Sequence, residues 1–335
     1  MANVYVQTNE PENKVLVLHA GSDGALTLGD AYATGGAGTA KPHLPSQGSV
    51  VLSGDGRHLL VANAASDDVT VFSVDGDGLR ASARAATGGV PRSVAEHAGL
   101  VYVLATADAT VGGYRLQDGG LEPIEGSRRA LSAPGADPAQ VAFTPDGRAL
   151  VVTERGTNAI VTFPVEADGT LGEIRVTPSS GPTPYGFALT GEGTMVVTEA
   201  FGARKGAAAA SSYKVDGAAV TPVTASAGNG RSEICWAAAS PDGRYAFTTN
   251  FADGAVSAWA VAADGRLALA DATAGITVDG RIGLRDLALT DDGRYLYAVD
   301  ADSGSVFGWA VDGSSLSPLG AAGSLPVTAA GLAAR

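Results

Sequence analysis

The 335-residue chain is predicted to be all-β: a seven-bladed β-propeller of four-stranded antiparallel blades, its ring closed by strands from both termini. Three observations predict this. One strand grammar is written seven times, large side chains recur in one column of it, and the two ends of the chain carry complementary fragments of the repeat. Residues 1–335 are expected to form a single domain.

The grammar comes first. An alternating apolar run closes on a short or polar residue, and a second alternating run follows after a turn. The first run reads VYVQTN from Val4, LLVAN from Leu59, LVYVLA from Leu100 and LVVTE from Leu150. It recurs as MVVTE from Met195, YAFTTN from Tyr245 and YLYAVD from Tyr295. The closing residues are Asn9, Asn63, Ala105, Glu154, Glu199, Asn250 and Asp300, spaced 42 to 54 residues apart. Period-two alternation marks strands, and the glycine turns after the second run (DGDG, QDGG, EADG, AADG) mark hairpins. A shorter apolar strand precedes each first run across a DG turn, as in QVAFTPDGR and DLALTDDGR. Each unit is therefore a four-stranded meander.

The column follows. In the second run one position holds Leu18, Phe72, Tyr114, Phe163, Tyr213, Trp259 and Trp309. A large side chain at one register in every repeat implies a shared core layer. Closure comes last. PVTAAGLAAR at the C-terminus matches the innermost strand of a unit, whereas NVYVQTN at the N-terminus matches the second strand. One blade is thus expected to be assembled from both ends, which leaves the ring without open edges.

Composition narrows the function classes. A formal charge of −13 and a pI near 4.6 oppose binding to nucleic acid or to an anionic membrane surface. No apolar run is long enough for a membrane helix and MANVYVQTNE lacks the pattern of a signal peptide, so a cytoplasmic protein is expected. The single cysteine, Cys235, excludes an intrachain disulfide and a cysteine-cluster metal site. The expected partner is a small-molecule substrate, and the sequence leaves the oligomeric state open.

The segments AFTPDGRALVVTERGTNAIVTF, SGDGRHLLVANAASDDVTVF and ASPDGRYAFTTN resemble the lactonase-type seven-bladed propellers, the family of 6-phosphogluconolactonase and the carboxymuconate-cyclase-like proteins. The resemblance runs along the whole chain. It implies formation or hydrolysis of a lactone, without a redox cofactor, at the mouth of the central channel. It also implies a Pro-Arg-His approach to an innermost strand. Counted back from the turn glycines, that histidine column holds Ser49, Arg92, Gln140, Gly186, Trp236 and Asp286, with Ala330 as seventh member. None is histidine, so the family's base has no counterpart in this column.

Candidate site residues follow from the face where inter-blade connections and second-to-third-strand hairpins open together. Glu154 and Glu199 close strands in neighbouring units, and a carboxylate held near a cation can act as general base; the competing reading is a polar cap. His43 lies in the long connection DAYATGGAGTAKPHLPSQ, beside Gln47, and offers a replacement base. Arg92 and Arg285 are candidates to grip a substrate anion, with Gln140, Asp286 and Arg204 as further substrate contacts. Tyr185 and Trp236 offer aromatic walls. Asn63, Glu154, Glu199, Asn250 and Asp300 together offer oxygen ligands for a divalent cation, although a capping column explains their polarity more simply, and no metal or other cofactor is assigned. The sequence thus predicts a lactonase-like enzyme acting on a small anionic or aromatic cyclic substrate by acid-base chemistry, either hydrolysis or cyclisation and isomerisation. A non-catalytic propeller that binds a ligand or protein is the alternative.

Overall fold

The computed structural model describes residues 2–76 and 78–335. Seven antiparallel sheets form the blades of a propeller. Blade one is built from Ala330–Ala334, Asn3–Gln7, Lys14–Ala20 and Leu26–Ala33, counted from the axis outward, so the ring closes on main-chain pairing between the two ends of the chain. Val4 pairs with Ala334 and Val6 with Leu332. The six other innermost strands are Val50–Leu52, Pro91–His97, Pro138–Phe143, Pro184–Leu189, Ile234–Ala239 and Leu284–Leu289. Blade three departs from the pattern: its outermost edge is divided between Gly120–Pro123 and Arg129–Ala130, both paired with Thr110–Gln117. Among the described residues, no helix is long and apolar enough to cross a membrane.

The large-residue column explains why the blades stay together. Leu18, Phe72, Tyr114, Phe163, Tyr213, Trp259 and Trp309 are all buried, and each falls in a different apolar cluster. Most of these clusters fill the interface between two adjacent blades: Phe72 sits with Tyr5 and Val17 of blade one, and Trp259 with Val196 and Ala210 of blade five, whereas the Trp309 cluster extends through Trp236 and Tyr185 to Ala139 of blade four. The core is thus a ring of seven similar layers rather than one centre.

The closing-residue column also has one structural job. Asn63 Oδ1 accepts from Thr34 Oγ1 at 2.8 Å, Glu199 Oε1 from the Gly181 amide at 2.8 Å, and Asn250 Oδ1 from Asn229 Nδ2 at 2.9 Å. Glu154 Oε1 accepts from the Ser132 amide at 2.9 Å. Every one of these partners lies on the connection arriving from the preceding blade, so these four residues latch blades two, four, five and six to their predecessors.

Candidate active site at the plugged end of the channel

The long connection from Thr34 to Ser49 dips to the axis and closes the channel there. Its backbone and side chains bond to three other blades. Ser46 Oγ donates to the Arg92 carbonyl at 2.8 Å, and the Gln47 amide N–H donates to the Ala139 carbonyl at 3.0 Å. Trp236 Nε1 donates to the Ser46 carbonyl at 2.8 Å. The Gln47 carboxamide reaches across to blade six, where Nε2 donates to the Ala237 carbonyl at 2.7 Å. Gly186 makes room for it, since a Cβ at that position would stand 2.3 Å from Gln47 Oε1.

Above this plug lies His43. Its Nε2 is 3.2 Å from Tyr185 Oη, and its ring packs edge-on against Trp236 and Phe251, with centroids 6.0 and 5.2 Å away. Nδ1 is buried and has no hydrogen-bond partner. Burial, followed by the charges of Arg285, Arg155 and Arg92, pushes the His43 pKa down to about 4. The imidazole is therefore neutral at physiological pH, with one ring nitrogen unprotonated. Burial pushes the Tyr185 phenol up, so it stays protonated beside the ring.

The three arginines differ in how they are held. Arg155 pairs with Asp137 at 2.7 Å and lies over the Tyr185 ring, 4.9 Å from its centroid. Arg285 is buried; its Nη1 donates to the Val327 and Ala329 carbonyls at 2.9 and 2.6 Å, and its Nη2 sits 3.3 Å from Asp302. Arg92 is half-buried, and among the described residues no carboxylate pairs with its guanidinium. Its Nε is buried without a partner. Burial and the like charge of Arg155 both hold the Arg92 pKa below the ordinary guanidinium value. A cation left unpaired beside another cation is a site for an incoming anion.

Backbone strain clusters on the same face. The residues immediately before four innermost strands, Val90, Asp137, Thr183 and Glu233, have φ of 58°, 45°, 59° and 54°. Left-handed geometry is costly for any of them and most of all for β-branched Val90 and Thr183. Such strain persists where the surrounding structure over-determines the backbone, as at ligand sites.

The structure brings only part of the expected set together. His43, Tyr185, Arg92 and Arg285 converge. Glu154 and Glu199 do not join them: each is 0% exposed. Glu154 accepts from Ser132 and, at 2.5 Å, from Thr157 Oγ1; Glu199 Oε1 accepts from Ser211 Oγ at 2.6 Å. The bonds from Ser132 and from the Gly181 amide tie the two glutamates to the connections arriving from the preceding blades, those from Thr157 and Ser211 lie within their own blades, and Glu199 Oε2 has no partner; both carboxylates thus make capping contacts instead of standing in the His43 cluster as the expected general bases. Gln140 is likewise engaged, its Nε2 donating to the Phe187 carbonyl and its Oε1 accepting from the Phe187 amide. Trp236 is 1% exposed and serves as the floor under His43 rather than an open wall. Arg204 stands on the hairpin insertion, with its guanidinium over the Phe201 ring at 5.5 Å. Asp286 belongs to the opposite side of the plug, where it lines the axial cavity.

Sequence reasoning missed Arg155 and Phe251. Both follow a closing residue directly, in TERGTN and TTNFADG, so their signal was position: the first hairpin residue points over the mouth. Asn63, Glu154, Glu199, Asn250 and Asp300 all accept hydrogen bonds from protein groups, and among the described residues no group of three or more His, Cys, Asp or Glu side chains could hold an ion.

A family profile described as "Lactonase, 7-bladed beta-propeller" matches residues 3–127, 96–200 and 198–327. No curated protein sequence matches. Among solved structures, a protein from Lactobacillus plantarum superposes with a TM-score of 0.77 at 19% identity, covering 100% of both chains. The periplasmic gluconolactonase PpgL of Pseudomonas aeruginosa gives 0.76 at 17% identity, covering 99% of this chain and 98% of its own. A candidate 6-phosphogluconolactonase from Bacteroides fragilis gives 0.71 at 18% identity, with 100% and 98% covered. At these identities the likeness to solved structures speaks for the fold.

Proposed function

The chain belongs to the seven-bladed β-propeller lactonase family, and from that premise we propose that it hydrolyses a small lactone bearing an anionic group, at the His43 face of the plug. One observation carries the reading: the unpaired Arg92 guanidinium stands beside a neutral histidine whose Nδ1 is unpartnered. In the tautomer whose Nε2–H donates to Tyr185, the Nδ1 lone pair is the one site able to take a proton. His43 removes a proton from water as the water oxygen bonds to the lactone carbonyl carbon. The ring C–O bond then breaks, and the same proton passes to the departing oxygen to give a hydroxy acid. Arg92 binds the substrate anion, while Arg155 and Arg285, already anchored, supply positive potential for the developing oxyanion. The reading needs no redox cofactor and no metal. Ring closure is the same path run backwards, so a cyclase role on an open-chain acid uses the same groups.

The experiment is a panel of five- and six-membered lactones, neutral, carboxylated and phosphorylated, followed by base uptake at constant pH. Hydrolysis of the charged members at least ten times faster than of the neutral ones is expected. Equal rates across the panel, or no turnover of any member, overturns the proposal.

A further inference from the structure

The other half of the channel holds a second candidate site. Beneath the plug, a cavity of about 530 Å³ runs along the axis and opens on the face of the DG turns, beside Gly54, Gly56, Pro145 and Asp291. That volume is typical of small-molecule sites. Val50, Val94, Val141, Leu287 and Leu332 supply the apolar part of a wall that polar groups share. Its closed end presents Gln47, Gln140 and Asp286. The two amides are satisfied by main-chain bonds to Ala237 and Phe187. Asp286 is not: it is 2% exposed, its Oδ1 accepts from the Leu287 amide at 3.0 Å, and, although the Gly48 and Leu332 amides lie close to the carboxylate, no donor meets Oδ2 in hydrogen-bonding geometry.

We propose that the axial cavity is a binding site for a small primary ammonium compound, whose charged head meets Asp286 Oδ2 and whose short aliphatic body lies between the valine and leucine walls.

The charge pattern selects a cation. Among the described residues no arginine, lysine or histidine pairs with Asp286; Arg285, its neighbour in sequence, turns away to Val327, Ala329 and Asp302. The other charged groups facing the cavity stand at its mouth and are engaged. Glu96 accepts from the Gly54 and Gly99 amides at 2.7 Å each, Arg335 lies 3.6 Å from Asp291, and His97 packs on Phe143. A buried carboxylate oxygen without a donor is costly, and an ammonium head supplies both charge and hydrogen bond. Burial pushes the Asp286 pKa up to about 7, against the amides of Leu287, Gly48 and Leu332, which lower it. A cation seated there should favour the ionised form, so its binding is expected to strengthen as pH rises through 7.

The test is titration of the intact protein with n-butylammonium, 1-butanol and butyrate at pH 5.5 and pH 8, followed by methyl NMR of Val50, Val94, Leu287 and Leu332. Butylammonium should bind at pH 8, at least ten times more weakly at pH 5.5, and at least ten times more weakly to Asp286→Asn; butanol and butyrate should bind no better than that variant does. Should Asp286→Asn fail to fold, the wild-type comparison of pH and probe charge still decides. No saturable shift with butylammonium at tens of millimolar, equal binding of butanol, or shifts confined to the His43 face would overturn the proposal.

Discussion

The carboxamide of Gln47 grips the backbone of Ala237, 190 residues away, at two points: Nε2 donates to the carbonyl at 2.7 Å and Oε1 accepts from the amide at 3.1 Å. The channel is thereby split into two compartments, and the loop carrying His43 is pinned to blade six. Gln47→Ala leaves a buried N–H and C=O without partners, which costs about 2–4 kcal/mol in stability. Thermal denaturation should show the loss, and turnover should fall further than folding does, because His43 loses its anchor. A Gln47→Ala protein with unchanged melting and turnover would mean that the plug is not held by this bond.

Arg92 separates binding from folding. Its guanidinium has no carboxylate partner, so Arg92→Ala removes a desolvated charge without orphaning another, and the melting temperature should hold or rise. On the anionic lactone, loss of a charge-assisted contact of about 3 kcal/mol lowers kcat/KM about 100-fold. Arg92→Lys should recover only part of it, since a single ammonium cannot reproduce the fork. Steady-state kinetics on both variants checks this; equal loss on a neutral lactone would count against anion binding.

His43 sets the acid limb. With its folded pKa near 4 and an unfolded value near 6.5, the unfolded chain takes up a proton first as pH falls. The sign is therefore a loss of stability between pH 6.5 and 4, by about 3 kcal/mol at most, and none of this contribution varies above pH 7. His43→Gln should flatten that slope in urea denaturation measured at pH 7 and pH 4.5. The pH profile of kcat/KM reports the free enzyme, so its acid limb should fall near 4 rather than near 6.5.

Asp286 works in the opposite direction. Its folded pKa near 7 exceeds the ordinary carboxylate value, so between pH 4 and 7 the folded protein holds the proton that the unfolded chain has released. Stability thus declines as pH rises across that window, by up to about 4 kcal/mol, and is level above it. Asp286→Asn removes the ionisation and should be more stable than wild type at pH 8, with the difference shrinking toward pH 4. Denaturation midpoints at the two pH values read this directly.

The architecture was legible because it is periodic. A two-residue alternation, a turn glycine and one large residue per repeat specify strand, hairpin and interface, and the columns from Asn9 to Asp300 and from Leu18 to Trp309 carry them through all seven blades. The candidate site was legible only in part, because it sits where the repeat breaks. Register shifts interrupt the innermost strands at Pro91/Ser93, Pro138/Gln140, Pro184/Phe187, Ile234/Ala237 and Leu284/Leu287. Counting back from a turn glycine crosses those bulges and misassigns direction. Arg285 and Asp286 illustrate the result: adjacent in sequence, they serve opposite sides of the plug. His43 lies in a connection with no period at all, and only its company of Tyr185, Arg92 and Arg155 in space distinguishes it from a surface histidine.

Glu154 tests the distinction between a cap and a catalyst. Its two oxygens accept from the Ser132 amide, the Ser132 hydroxyl and the Thr157 hydroxyl, and it is wholly buried. Glu154→Ala leaves those donors without an acceptor, so about 2–4 kcal/mol of stability should be lost, with a lowered denaturation midpoint. Glu154→Gln retains one acceptor oxygen and should lose less. A general base behaves otherwise: its amide variant folds normally and turns over at a small fraction of the wild-type rate. Turnover per folded molecule of Glu154→Gln within about twofold of wild type is therefore expected, measured at a temperature where both are fully folded. A hundredfold fall in kcat with an unchanged midpoint would return Glu154 to the catalytic machinery and displace His43 from it.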